Sequence, residues 1–197
     1  MKEDKCGRLK NELNQEITAL KQFLNQYNQG PIPVKYAMYT NIVSAGYRFK
    51  NHLQHDLVDE CNREEYKGWF EKKSKDDKII KFFVDERDRL EHESVLKVTT
   101  GFFISNLSLP SDLLKYGPQP LNATGFFMDG LGIGWTIMQQ DGSMFKLYVN
   151  LPENQVKTFI IPTSLPNDLK KYTIDQLLTY YVNYLENAFK EVEKEFD

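Results

Sequence analysis

The chain has 197 residues and a mass of 23.1 kDa, enough for a single medium-sized domain or a bipartite domain at roughly 100 to 200 residues per domain. A hydrophobic content of 41%, a charged content of 27% and 13 Phe, 11 Tyr and 2 Trp exclude disordered and collagenous chains. The net charge of −3 and pI near 5.7 argue against a sequence-independent binder of duplex DNA, which needs a strongly basic face.

In chain order, Leu9, Leu13, Ile17, Leu20, Leu24 and Tyr27 recur at steps of three and four, which predicts one long amphipathic helix over about residues 4 to 29. Gly30-Pro31 ends it. Pro31 and Pro33 open a second helix over about 34 to 55, with Val34, Met38, Ile42, Ala45 and Phe49 as its stripe, widened by Tyr36, Tyr39, Val43 and Tyr47. After a polar stretch and Gly68-Trp69-Phe70, Asp76-Asp77 is placed to cap a third long helix carrying Ile79, Ile80, Phe82, Phe83, Val84, Arg87 and Leu90.

Beyond Glu93 the period changes to two. Val98, Thr100, Phe102 and Ile104 alternate with their neighbours as in a strand, and Ser111 to Gly117 reads as a helical turn closed by glycine. Ala123 to Met128, Ile133 to Gln139, Met144 to Asn150 and Gln155 to Ile161 are further strands. Asp129-Gly130, Asp141-Gly142 and Leu151 to Asn154 supply turns between them. Such short links favour an antiparallel meander over a crossover unit. Thr173-Ile-Asp-Gln176 is a capping box for a last helix with Ile174, Leu178, Tyr181, Leu185, Ala188 and Val192 on one face. The fold class is therefore α+β. A helical bundle (1 to 93), closed by the C-terminal helix (173 to 197), carries a five-stranded antiparallel meander (94 to 172), expected as one compact unit.

No run approaches roughly 18 uncharged apolar residues, so no helical membrane span is expected, and the charged start lacks the apolar core of a secretory signal. Cys6 and Cys61 do not make a disulfide scaffold, and the expected setting is a reducing cytoplasm.

Four local patterns invite chemistry. Gly130-Leu-Gly-Ile-Gly134 superficially resembles a phosphate loop, but such a loop must open a helix and this one leads into the strand pattern Trp135 to Met138, so a tight glycine hairpin is preferred. His52-Leu-Gln-His55-Asp56, with Asp59 and Cys61 following, holds metal-type ligands without a complete zinc spacing, and the frayed end of a helix is the preferred reading. Lys72, Lys73 and Lys75 belong to a basic run, offered as an anion-binding segment or as solvated surface. The fourth pattern is Arg87-Asp88-x-x-x-His92 at the end of the third long helix. A guanidinium cannot shed its charge, so beside an apolar stripe it requires a carboxylate or an incoming anion. The i,i+4 pairs Asp85 with Arg89, Arg87 with Glu91 and Asp88 with His92 offer a structural account. His92 lies about 140° and about 7.5 Å from Arg87 by helix geometry, so one phosphodiester meets both only in a groove or across a dimer.

The Arg87-Asp88-x-x-x-His92 motif resembles the signature of the HEPN superfamily (higher eukaryotes and prokaryotes nucleotide-binding), over about residues 4 to 93. The resemblance implies a helical bundle that forms a homodimer and a metal-independent endoribonuclease or an inactive RNA-associated relative. Arg87 would neutralise the scissile phosphate, Asp88 would orient a partner, and His92 would serve as general base or acid. No cofactor and no metal are expected. Two further readings stay open: a non-enzymatic module whose aromatic sheet or acidic last helix binds a protein partner, and a small-molecule binder with a pocket between sheet and bundle.

Overall fold

The computed structural model describes residues 5–93, 96–104, 110–129, 132–152 and 156–196. The protein is α+β, with the long helices before and after the strands. It divides into two compact units. One comprises Met1–Val98 and Pro162–Asp197, and the other comprises Thr99–Ile161.

In the helical unit, α1 (Lys5–Gln29) and α2 (Ile32–Asn51) are separated by the Gly30-Pro31 break. Leu9, Leu13, Ile17 and Leu20 of α1 are buried, as their spacing predicts. On α2 Ile42, Ala45 and Phe49 of the expected stripe are buried together with Tyr39 and Val43, whereas Val34 is exposed and the unexpected Lys35 is buried in the first turns. Lys35 tolerates burial because its ammonium donates to the Tyr27 carbonyl at 2.6 Å and lies 4.5 Å over the Tyr27 ring. A cation thereby meets the open carbonyl end of α1, where the helix dipole favours it. Helix α2 runs on into one π-helical turn, His52–Asp56, then a short α3 (Leu57–Asp59), so the expected end near residue 55 is a change of winding rather than fraying.

Helices α4 (Trp69–Ser74) and α5 (Lys78–Glu93) follow. As expected, Asp77 caps α5, its Oδ1 accepting from the amides of Ile79 and Ile80 at 2.9 and 3.0 Å. Helix α6 (Ile174–Val192) starts at the capping box, where Gln176 N–H donates to Thr173 Oγ1 at 3.3 Å and Thr173 N–H donates to Gln176 Oε1 at 2.9 Å. Its Tyr181 stacks on Phe83 of α5 with ring centroids 4.4 Å apart. The same ring closes on Gly46 of α2, where an added Cβ would fall 2.6 Å from it. The absence of a side chain at Gly46 is what lets the α6 ring settle against α2.

Cys6 and Cys61 are joined in a disulfide, which corrects the expectation of two thiols. The long α1 and the chain reversal after α3 bring residues 55 apart in sequence to a Cα separation of 5.1 Å, and no local pattern announces that approach. No helix among the described residues is long and apolar enough to cross a membrane.

The strand unit contains β1 (Val98–Ile104), β2 (Ala123–Asp129), β3 (Gly132–Met138), β4 (Met144–Tyr148) and β5 (Val156–Pro162). The five expected strands are present, but they form two sheets: β1 pairs with β5, and β2-β3-β4 make an antiparallel meander. The stretch from Ile104 to Ala123, which holds the 3-10 segment Pro110–Tyr116, is too long for a hairpin, so β1 is free to take the returning β5 as its partner. The amide of Thr163 donates to the Lys97 carbonyl at 3.0 Å, just beyond the paired strands.

Of the glycine pattern at 130 to 134, Gly130 and Leu131 lie outside the described residues, as do Glu153 and Asn154 of the expected turn before β5 and Gln155 at the expected start of that strand. Gly132 and Gly134 are in β3, which bears out the strand reading over a phosphate loop. At Gly134 an added Cβ would lie 2.0 Å from the Leu147 carbonyl oxygen of β4, so this position requires glycine. Leu113, Ile133, Trp135 and Ile137 form the buried cluster of this unit.

Candidate functional site

Helix α5 places Ile80, Phe82, Phe83 and Glu86 inward, and Arg87 follows on the margin of that face with 22% of its side chain exposed. The guanidinium lies 3.8 Å from the centroid of the Tyr47 ring of α2. Both terminal nitrogens donate to the Glu91 carboxylate one turn on, and Nη1 also reaches Asp88 Oδ1 at 3.4 Å. A planar guanidinium on an aromatic face with a bidentate carboxylate is fixed in orientation by both contacts.

Arg87 and Glu91 form one wall of a surface depression of about 330 Å³, completed by Leu90 and, from α2, by Ser44, Tyr47, Arg48 and Asn51. Arg48 extends to Glu16 of α1, its Nε 3.3 Å from Oε1, while the other oxygen of Glu16 lies 3.2 Å from His52 Nδ1. The depression thus gathers two guanidinium groups, an aromatic ring, a hydroxyl and an amide around one carboxylate. That set suits an anion bearing a flat or apolar substituent. The Glu91 side chain is 53% exposed, so its bond to Arg87 lies in high dielectric, where such pairs are worth about 0 to 1 kcal/mol. An entering phosphate can replace it at little cost.

The remaining predicted residues are placed less closely. Asp88 is exposed and touches Arg87. His92 is exposed in the last turn of α5 and does not line the depression. Of the expected i,i+4 pairs, Arg87 with Glu91 forms, while Arg89 turns to Glu86 three residues back. In the basic run, Lys73 donates to both carboxylate oxygens of Glu191 at 2.6 and 2.8 Å and lies 5.5 Å over Trp69, so it is engaged in holding α4 to α6. Lys72 and Lys75 are exposed. No group of three or more His, Cys, Asp or Glu side chains among the described residues is placed to hold a metal ion. His52 faces Glu16 instead, and burial pushes the Asp56 carboxyl above its usual range, with His52 opposing the shift.

Sequence reasoning passes over two features. Tyr47 reads as part of the α2 stripe and its neighbour Arg48 carries no sequence signal, and only the packing of α2 on α5 puts them beside Arg87. The second feature is Glu86, 1% exposed. Its Oε2 accepts from the Tyr39 hydroxyl at 2.7 Å, and its Oε1 accepts from Arg89 and from the Ser164 hydroxyl. Burial and the adjacent Glu86 carboxylate hold the Tyr39 phenol well above its usual range. Glu86 and Arg89 border a smaller cavity of about 190 Å³ with Lys97 and Thr163. The sole sequence signal for Glu86 is its position three residues after Phe83 on the buried face.

No protein-family model, curated protein or solved structure matches this chain.

Proposed function

We propose that the helical unit is an HEPN-like, RNA-directed bundle in which the depression between α2 and α5 receives a phosphodiester. The observation that carries this reading is Arg87 stacked on Tyr47 beside Arg48 in an open, partly desolvated recess. The incoming phosphate takes the place of Glu91 on Arg87, and a neighbouring base has the Tyr47 edge and Leu90 to lie against. In the catalytic form, His92 accepts the proton of the ribose 2'-OH as that oxygen attacks phosphorus. The 5' oxygen leaves with a proton from the second histidine of a two-fold site, and the product ends in a 2',3'-cyclic phosphate. His92 stands outside the recess of its own chain, so this chemistry requires a second copy.

The deciding experiment incubates the purified chain with single-stranded RNA in EDTA. Cleavage to 2',3'-cyclic ends, lost in Arg87→Ala and in His92→Ala, supports the enzyme. RNA binding without cleavage, lost in Arg87→Ala and strengthened in Glu91→Gln, supports the inactive relative. A wild type that neither cuts nor binds RNA overturns both.

A second reading is favoured by a separate observation. The three-stranded sheet leaves Phe126, Met128, Phe145 and Leu147 exposed, a concentration of apolar side chains that suits a protein-interaction module.

A further inference from the structure

Residues directly opposite in a sheet share a face, so the registers Phe126 with Trp135 with Leu147, Met128 with Ile133, and Ile137 with Phe145 place these side chains together. The central members, Ile133, Trp135 and Ile137, are covered by Leu113. The flanking Phe145 and Leu147 of β4 remain 41% and 43% exposed. On the other face Lys146 Nζ and the Tyr148 hydroxyl both reach Asp129 Oδ2, at 2.6 and 3.0 Å.

Among the described residues strand β4 is an edge of its sheet, and the two edges differ. Strand β2 carries a register shift between Ala123 and Gly125, a bulge of the kind that discourages further pairing. The β3 to β4 ladder runs without a shift from Gly134 to Met138, and β4 contains no proline. The Val149 amide donates to the Ile133 carbonyl at 2.9 Å. By the alternation of an antiparallel ladder, Phe145 and Leu147 also direct their backbone groups to β3, and Met144, Lys146 and Tyr148 direct theirs outward.

A strand added to that edge must present its own outward groups to these three. A second β4 does so antiparallel in registers centred on Phe145, Lys146 or Leu147. Centring on Lys146 sets like charges face to face, which is unfavourable. Centring on Phe145 sets Leu147 against Ser143. Centring on Leu147 sets Leu147 against Leu147 and Phe145 against Val149 on the apolar face, and Lys146 against Tyr148 on the polar face, with the Lys146 and Tyr148 positions forming the hydrogen-bonded pairs. We propose that β4 joins the β4 of a second copy of this chain about a two-fold axis at Leu147, giving a six-stranded sheet with one continuous apolar face. The contact is self-complementary and closes at two copies. It rests on the interaction reading of the sheet, taken in place of the two-fold histidine site of the catalytic form.

Sedimentation velocity of the full chain tests it. The wild type at about 100 µM should sediment at twice the 23.1 kDa monomer mass, while Leu147→Glu and Leu147→Lys alone should each be monomers. Leu147 is exposed in a single chain, so both variants should retain the wild-type circular dichroism. An equimolar mixture of the two should regain the dimer through a Glu to Lys contact at the axis. A dimer that persists in Leu147→Glu, open assemblies larger than two, or a mixture that stays monomeric overturns the proposal. A monomeric wild type also overturns it. If, in that case, the fluorescence of bound anilinonaphthalene sulfonate still falls on Leu147→Glu, the sheet remains an apolar docking face and only the second copy is removed as its occupant.

Discussion

The two units of this chain solve the same problem with unequal means. In the helical unit Tyr27, Tyr39, Phe49, Phe70, Phe83 and Tyr181 are all among the fully buried side chains, contributed by the four long helices and the short α4. In the strand unit the buried cluster consists of Leu113, Ile133, Trp135 and Ile137, and every residue of β4 is exposed. The apolar content of the strands is not low; much of it is left facing water. A packed interior makes each large side chain costly to remove, whereas a sheet with one half-covered face keeps its apolar groups available for contact.

The contrast is broken most directly by truncating one aromatic in each unit. Phe83→Ala removes a fully buried ring stacked on Tyr181 and should cost about 3 to 5 kcal/mol. Phe126→Ala, at a 36% exposed position, should cost about 1 to 2 kcal/mol. Urea unfolding of both variants measures the difference, and equal losses would refute the division. Next in size, Glu86→Gln keeps the shape of the buried side chain but withdraws the negative charge that Tyr39, Arg89 and Ser164 address, with an expected loss of about 1 to 3 kcal/mol. A thermal melt at neutral pH is sufficient to read it.

Gly134→Ala should act on the strand unit alone. Its Cβ meets β4 backbone, so overpacking of roughly 1 to 3 kcal/mol should speed amide exchange in β3 and β4 and leave α1 and α6 protected. Gly125→Ala, with open space around it, is the matched control.

Alkaline titration sharpens the comparison from the helical side. Tyr180 is pushed up to about 12, first by its hydrogen bond to Asp77, and Tyr184 to about 12, first by burial. Burial also raises Tyr181 and Tyr39. These phenols stay protonated in the folded chain while unfolded tyrosines ionise near pH 10, so the unfolded state binds fewer protons and stability should fall as pH rises from about 10 towards 12. Tyrosinate absorbance followed alongside the melting temperature should show these four phenols, together with Tyr148 of the strand unit, ionising later than ordinary tyrosines. Full ionisation of all tyrosines by about pH 11 without unfolding would contradict the packing.

The smallest effect is expected at Arg87. Its ion pair is exposed on the Glu91 side, so Arg87→Ala should lose only about 0.5 to 1.5 kcal/mol from the cation-π contact and the carboxylate. Sulfate should raise the melting temperature of the wild type and not that of the variant. A loss of several kcal/mol without a sulfate response would make Arg87 a structural residue.

Much of the helical unit was legible because its signals are local. The spacing of Leu9, Leu13, Ile17 and Leu20, the Gly30-Pro31 break, Asp77 and the Thr173 to Gln176 box each act within a few residues of themselves. The strands were legible as strands, since a period of two fixes which side chains share a face. It does not fix which strand lies alongside, so the division into two sheets was not readable. The same limit hid the disulfide, the burial of Lys35 over Tyr27 and the Tyr39 to Glu86 bond, all made between residues far apart along the chain or across a helix boundary. At the candidate site the motif displayed Arg87, Asp88 and His92 together as text, whereas helix winding keeps His92 outside the recess and the packing of α2 on α5 brings Tyr47 in.

The Gly46 and Tyr181 contact carries a consequence for synthesis on the ribosome. Helices α1, α2 and α5 are complete before the strands are made, yet the ring that fills the space above Gly46 and stacks on Phe83 belongs to α6, about 95 residues beyond Val98 at its far end. At about 5 to 20 residues per second, the nascent helices wait on the order of 5 to 20 s with that groove open. During this interval the growing chain presents an apolar slot shaped for one aromatic helix, exposed to water until α6 arrives to make it an interior.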